Sequence, residues 1–139
     1  MIILDTNVLS EAIRPVPSVA VLRWLAEQHP IGVYTTSITA AEILYCIELL
    51  PPGKRRSALL AAAERMFQEE FPGRILPFDE EAARLFPKVV AARDTLGRPI
   101  SQFDAMIAAI ARTCGAAVAT RNTADFEHCG IRIINPWIA

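Results

Sequence analysis

Met1-Ile2-Ile3-Leu4-Asp5-Thr6-Asn7-Val8-Leu9-Ser10-Glu11 decides how this chain folds. Ile2–Leu4 is short and wholly apolar, the pattern of a strand buried on both faces at the centre of a parallel sheet. Asp5 stands where that strand ends, and residues 7–13 suit a brief helix before Pro15 and Pro17. Working outward, apolar strand-like runs alternate with helix-like ones. Ser18 caps a helix to about Gln28, Val33–Thr35 reads as a second strand, and a helix from Thr39 stops near Leu50 at Pro51-Pro52-Gly53. A long alanine- and leucine-rich helix spans 54–71, and residues 75–78 make a third strand. Asp79 caps a helix that runs toward Gly97 with a kink or break at Pro87. Ser101 caps a helix ended by Gly115, and residues 117–120 and 132–134 supply two last strands. Alternation of this kind predicts an α/β fold, a parallel sheet covered by helices on both faces.

Four acids fall where a strand or loop hands over to a helix or turn: Asp5, Glu42, Asp104 and Asp125. Ligands of open α/β sheets bind beyond the carboxyl ends of the strands. Carboxylates gathered there repel one another unless a cation neutralises them, and oxygen-only ligands suit Mg²⁺ or Mn²⁺ rather than zinc. The pattern points to a metal-dependent phosphodiesterase.

Each acid also has a plainer reading. Asp5 can cap the helix that follows it. Thr39-x-x-Glu42 and Ser101-x-x-Asp104 both fit the capping box, in which two side chains satisfy backbone donors at a helix start. Asp125 and Asn122 can shape a turn. Capping and metal binding therefore compete for the same oxygen atoms.

Composition narrows the classes. The 139 residues are 53% apolar and 21% charged, which excludes disorder and suits one domain spanning residues 1–139. This apolar surplus suggests surface covered by a partner. A net charge of -1 does not exclude nucleic acid, because Lys54-Arg55-Arg56 or Arg121 can supply local phosphate contacts; for the former a solvated helix face is an equal alternative. Cys46, Cys114 and Cys129 form no metal pattern and read as reduced thiols, and with no leader or membrane span in the sequence a cytoplasmic location is expected. His29 and His128 stand outside any ligand pattern. There is no phosphate-cradling glycine loop, and an aspartyl-phosphate mechanism would call for Asp-x-Asp where this chain has Asp5-Thr6-Asn7.

Taken together, Leu4–Glu11, Ala41-Glu42-Ile43, Gly97-Arg98-Pro99-Ile100 leading to Asp104-Ala105, Ala119–Asn122 with Asp125-Phe126, and Asn135-Pro136-Trp137 resemble PIN-domain ribonucleases. The resemblance is specifically to VapC toxins of the FitB-like branch of type II toxin–antitoxin modules, over essentially the whole chain. The resemblance implies a three-layer α/β/α PIN fold with strand order 3-2-1-4-5. It implies an Mg²⁺ or Mn²⁺ site made by Asp5, Glu42, Asp104 and Asp125, which hydrolyses RNA phosphodiesters with a metal-activated water. Thr6, Asn7, Thr120, Arg121 and Asn122 then support these acids or contact substrate. Asn122 stands where many PIN domains have Asp, which leaves the role of Asp125 open.

The same resemblance implies a homodimer and a VapB- or FitA-type antitoxin, with operator DNA reached only through that antitoxin and no membrane contact. Two other readings stand beside it: an RNA-processing PIN nuclease without antitoxin, and a non-catalytic co-repressor acting with a DNA-binding antitoxin.

Overall fold

Ile3 and Leu4 are adjacent in strand β1 (Ile2–Leu4), yet they enter different cores, as the two-residue period of a strand requires. In the computed structural model, which describes residues 1–139, β1 is the centre of a five-stranded sheet ordered β3-β2-β1-β4-β5. The other strands are β2 (Val33–Thr36), β3 (Ile75–Leu76), β4 (Ala117–Ala119) and β5 (Ile133–Ile134). All four pairings are parallel, and the register sets Leu4 beside Ala119 and Thr36 beside Leu76. The expected strand order and three-layer α/β/α architecture are both present, and the sheet is wholly parallel.

One face carries α1 (Thr6–Ala12), α2 (Val19–Glu27), α3 (Ser37–Glu48) and α4 (Lys54–Glu70) over Leu4, Val8, Leu9, Val21, Ile43, Met66 and Phe71. The other carries α5 (Glu80–Thr95) and α6 (Gln102–Cys114) over Ile3, Val118 and Phe126. Ala105, Ala108, Ala109 and Ala111 are fully buried on α6, and such small side chains let the helix sit close to both the sheet and α5. Buried Glu11 accepts the Ser18 amide (3.3 Å) and pairs with Arg14 (3.4 Å), which ties the end of α1 to the start of α2.

Several boundaries differ from the sequence reading, each for a local reason. Helix α3 starts two residues before Thr39, because the Thr36 hydroxyl caps it by accepting the Thr39 amide at 3.0 Å. Helix α5 runs unbroken through Pro87; its flanking turns are held by Ala82, Val89 and Arg93, all buried. Proline removes one helical hydrogen bond there without ending the helix. Strands β3, β4 and β5 are each shorter than read, since the pairing ladder stops where the chain turns into the helical layers. Ser101, Asp79 and left-handed Gly115 (φ 64°) act at the helix ends as expected, and the three cysteines are free thiols. No helix is long and apolar enough to cross a membrane.

Candidate functional site

Because Leu4 pairs with Ala119, Asp5 and Thr120 leave the sheet side by side at its carboxyl edge. Asp5 is 4% exposed and both its carboxylate oxygens are held. Oδ1 accepts the Thr6 amide at 2.8 Å; Oδ2 accepts the Thr120 hydroxyl at 2.8 Å and the Asn7 side-chain amide at 3.2 Å. Asn7 closes the ring by donating to Thr120 Oγ1 (3.1 Å) and accepting the Arg121 backbone amide (3.1 Å). Thus Asp5, Thr6, Asn7, Thr120 and Arg121 form one interlocked corner where two strands end.

Glu42 lies in the second turn of α3, and the start of that helix at Ser37 removes its capping-box reading. Its Oε1 accepts the Thr6 hydroxyl at 2.8 Å. That hydroxyl also lies 3.3 Å from Thr39 Oγ1, which lies 3.3 Å from Thr36 Oγ1. Asp104 stands in the first turn of α6, where Ser101 Oγ accepts its amide at 3.2 Å. Asp104 lines an open cleft of about 540 Å³ together with Glu42, Ser101, Gln102, Phe103 and Asn122.

The acids feel one another's charge. Burial pushes Asp5 from the ordinary 3.8 up to about 6; the Thr120 hydroxyl and Thr6 amide oppose this, while Asp104 and Glu42 add to it. Glu42 is raised by burial, against its Thr6 bond, and further by Asp104. Asp104 is raised by burial and by Asp125, and lowered by Ser101 and Arg93. Asp125 itself is exposed, in a 3₁₀ turn (Thr123–Phe126), and acts on Asp104 from the rim. No three of these acids are drawn together at metal-ligand spacing. Hydroxyls and amides hold Asp5, and the Thr6 hydroxyl holds Glu42.

The donor set, all oxygen and partly desolvated, fits a hard divalent cation of the Mg²⁺ or Mn²⁺ kind. The raised Asp5 carboxyl has a measurable consequence. A group whose pKa rises on folding stabilises the fold fully below its unfolded value, and that stability is lost as pH climbs through the folded value. Between about pH 4 and 6 the loss amounts to about 3 kcal/mol. Melting in EDTA should therefore show a fall from pH 4 to 7 that Asp5→Asn flattens. Parallel pH profiles for the two proteins would contradict the burial of this charge.

Three features of the site carry no sequence signal of the acid kind. Arg93 is 4% exposed and gives its hydrogen bonds to the carbonyls of Arg98 (2.7 Å), Ala124 (2.9 Å) and Glu127 (2.8 Å), clasping the turn that carries Asp125. The Arg121 guanidinium lies 5.2 Å from the centre of the Trp137 ring, a cation–π contact beside the acid corner. Phe103 lines the acid cleft. Lys54-Arg55-Arg56 does not: Arg56 pairs with Glu48 at 2.6 Å, and Arg55 lines a different groove, between α1, α3 and α4.

Residues 2–130 match the PIN domain. The chain is 42% identical to VapC ribonuclease Y4jK of Sinorhizobium fredii, covering 99% of this chain and 98% of that protein. It is 39% identical to Toxin FitB of Neisseria gonorrhoeae, covering 99% of both. The solved structure of FitAB bound to an IR36 DNA fragment superposes with a TM-score of 0.92 at 39% identity, over 99% of this chain and 96% of that one. The chain belongs to the PIN-domain family, in the branch that holds VapC and FitB.

Proposed function

We propose that this protein is a divalent-cation-dependent endoribonuclease, the toxin of a type II toxin–antitoxin module, acting in the cytoplasm as one PIN domain over residues 1–139. The observation that carries the reading is the gathering of Asp5, Glu42 and Asp104 at the carboxyl edge of the sheet: Thr6 bonds to both Asp5 and Glu42, and Glu42 shares a cleft with Asp104. The names of the two relatives, a ribonuclease and a toxin, support it.

Asp5, Glu42 and Asp104 would hold the cation, with Asp125 adding negative charge from the rim. When bound, such a cation offsets the carboxylates, attracts the RNA phosphate and acidifies water beside it. The chain's own groups supply the rest. Thr120, Asn7 and the Thr6 amide fix both oxygens of Asp5, and the Thr6 hydroxyl fixes one oxygen of Glu42. Glu42, which lines the cleft and whose pKa burial raises, would orient water or take its proton. Arg121, held over Trp137, offers a phosphate a preorganised cation.

Partners follow from the same family. The FitAB structure holds a toxin with its partner on DNA, and we extend this arrangement to a VapB- or FitA-type antitoxin here, with operator DNA reached through it and two toxins paired as a homodimer. A groove of about 580 Å³ supports such a partner, since Ile13, Ile43, Ile47 and Leu59 line it and Arg14 and Arg55 also flank it. It suits an amphipathic segment with acidic flanks.

Purified protein incubated with labelled total RNA should release fragments with Mg²⁺ or Mn²⁺ and none with EDTA. Intact RNA, from folded protein free of antitoxin, would overturn the nuclease reading in favour of the co-repressor one. Arg121→Ala is expected to weaken cleavage roughly tenfold and lower the salt dependence of RNA binding by about one charge, with cation affinity unchanged. Loss of cation binding in that variant would instead make Arg121 part of the acid corner's scaffold.

A further inference from the structure

Phe103 stands apart from the other apolar side chains of α6. It sits on the first turn of α6, 48% exposed, while the rest of that helix buries Ala105, Ile107, Ala108, Ala109, Ile110 and Ala111. It belongs to neither hydrophobic core. Its surroundings are those of the acid cleft: Glu42, Ser101, Gln102, Asp104 and Asn122, all polar, with Phe103 the single apolar wall. It also lies outside the apolar groove between α1, α3 and α4, so it is not an extension of that surface.

One ligand class matches this mixture. A nucleobase has an apolar π-face and a polar edge, and base recognition in single strands combines aromatic stacking with hydrogen bonds from amide side chains. Phe103 supplies the face; Gln102 and Asn122, in the same cleft, carry carboxamides that both donate and accept. Asp104, the next residue, belongs to the group expected to lie against the scissile phosphate. A base stacked on Phe103 therefore belongs to a nucleotide at or next to the cleavage point.

Resting on the ribonuclease reading above, we propose that Phe103 is the stacking platform for an unpaired RNA base at the cleavage point, flanked by Gln102 and Asn122 as readers of that base's edge. Such stacking needs an unpaired base, since bases in a duplex hide both faces in the stack. Asn122 has a part here that a carboxylate could not play in full, because an amide donates as well as accepts.

The test uses the full chain carrying Asp5→Asn, so that bound RNA stays intact, with Mg²⁺ present. The probe is a randomised single-stranded 12-nucleotide RNA containing 2-aminopurine, compared with the same backbone lacking bases. Stacking on Phe103 should quench 2-aminopurine. Adding Phe103→Leu, which keeps an apolar side chain without a ring, should abolish quenching and weaken binding about five- to hundredfold; Phe103→Trp should preserve both. The base-free backbone should bind the Leu variant and its parent alike. RNA bound equally by parent and Leu variant, without a difference in quenching, would overturn the stacking role and leave the ribonuclease reading standing. No RNA bound by any of the proteins would overturn both. If sedimentation instead shows that Phe103→Leu separates a dimer into monomers, the ring belongs to a contact between copies of the chain, and the proposal fails.

Discussion

Asp5→Asn and Asp104→Asn are each expected to cut RNA cleavage by roughly 10²–10⁴-fold while leaving the fold intact. Both replacements keep side-chain size and remove one negative charge from a site that works by concentrating charge. For Asp5 the prediction has a second half. Its carboxylate is buried, and its charge opposes folding at neutral pH, with a pKa pushed to about 6. Removing that charge should stabilise the cation-free protein at pH 7.5 even as it disables it, by up to about 3 kcal/mol. Activity assays and urea denaturation in EDTA, run on the same samples, test both halves. Wild-type cleavage by either variant would sink the site assignment; a destabilised Asp5→Asn would show instead that its hydrogen bonds outweigh its burial. The opposition of stability and activity is expected wherever strained electrostatics perform chemistry.

Arg93→Met should be the most damaging single change away from the acids. It strips hydrogen bonds from three backbone carbonyls, two of them in or beside the turn that carries Asp125. Hydrogen bonds from a charged donor contribute about 1.5–3 kcal/mol each, less where solvent can replace them, and some of this is offset by no longer burying a cation. A net loss of about 3 kcal/mol, or roughly 10 °C in melting temperature, is the expected outcome. Arg93→Lys should recover only part, because an ammonium cannot reproduce the fork that reaches carbonyls on both sides. An unchanged urea midpoint for Arg93→Met would mean that the turn is held by other contacts, Phe126 in the core foremost among them.

The sheet was legible because its central strand is wholly apolar and its turns carry proline and glycine. Ile2–Leu4 can hardly be anything but buried, and Gly115 ends α6 at the left-handed residue expected of it. The start of α3 was less legible for a physical reason. Thr35, Thr36, Ser37 and Thr39 offer several hydroxyls of similar capping strength in five residues, and the choice among them falls to where β2 stops pairing with β3. That choice decides the meaning of Glu42: with Thr36 as cap, its carboxylate is freed from capping and reaches Thr6 across the site. Of the supporting residues, Thr6 and Asn7 were readable from their place beside Asp5 and Thr120 from the family resemblance, and the structure brings them together around Asp5. Arg93 was not. A side chain that bonds only to backbone carbonyls 5, 31 and 34 residues away leaves no pattern in the sequence.

The central position of β1 also orders events during synthesis. Its neighbours are β2, translated soon after it, and β4, which follows more than a hundred residues later. Asp5 and Asn7 acquire their Thr120 contacts only when β4 slots in against β1, after α1–α6 have all been made. Contacts so distant along the chain close late, because the entropy of joining their ends must first be met. A ribosome making this protein thus works beside an incomplete acid corner until β4 and Thr120 have been made, and a chain truncated before residue 117 carries Asp5, Glu42 and Asp104 without the partner strand that sets Asp5 in place.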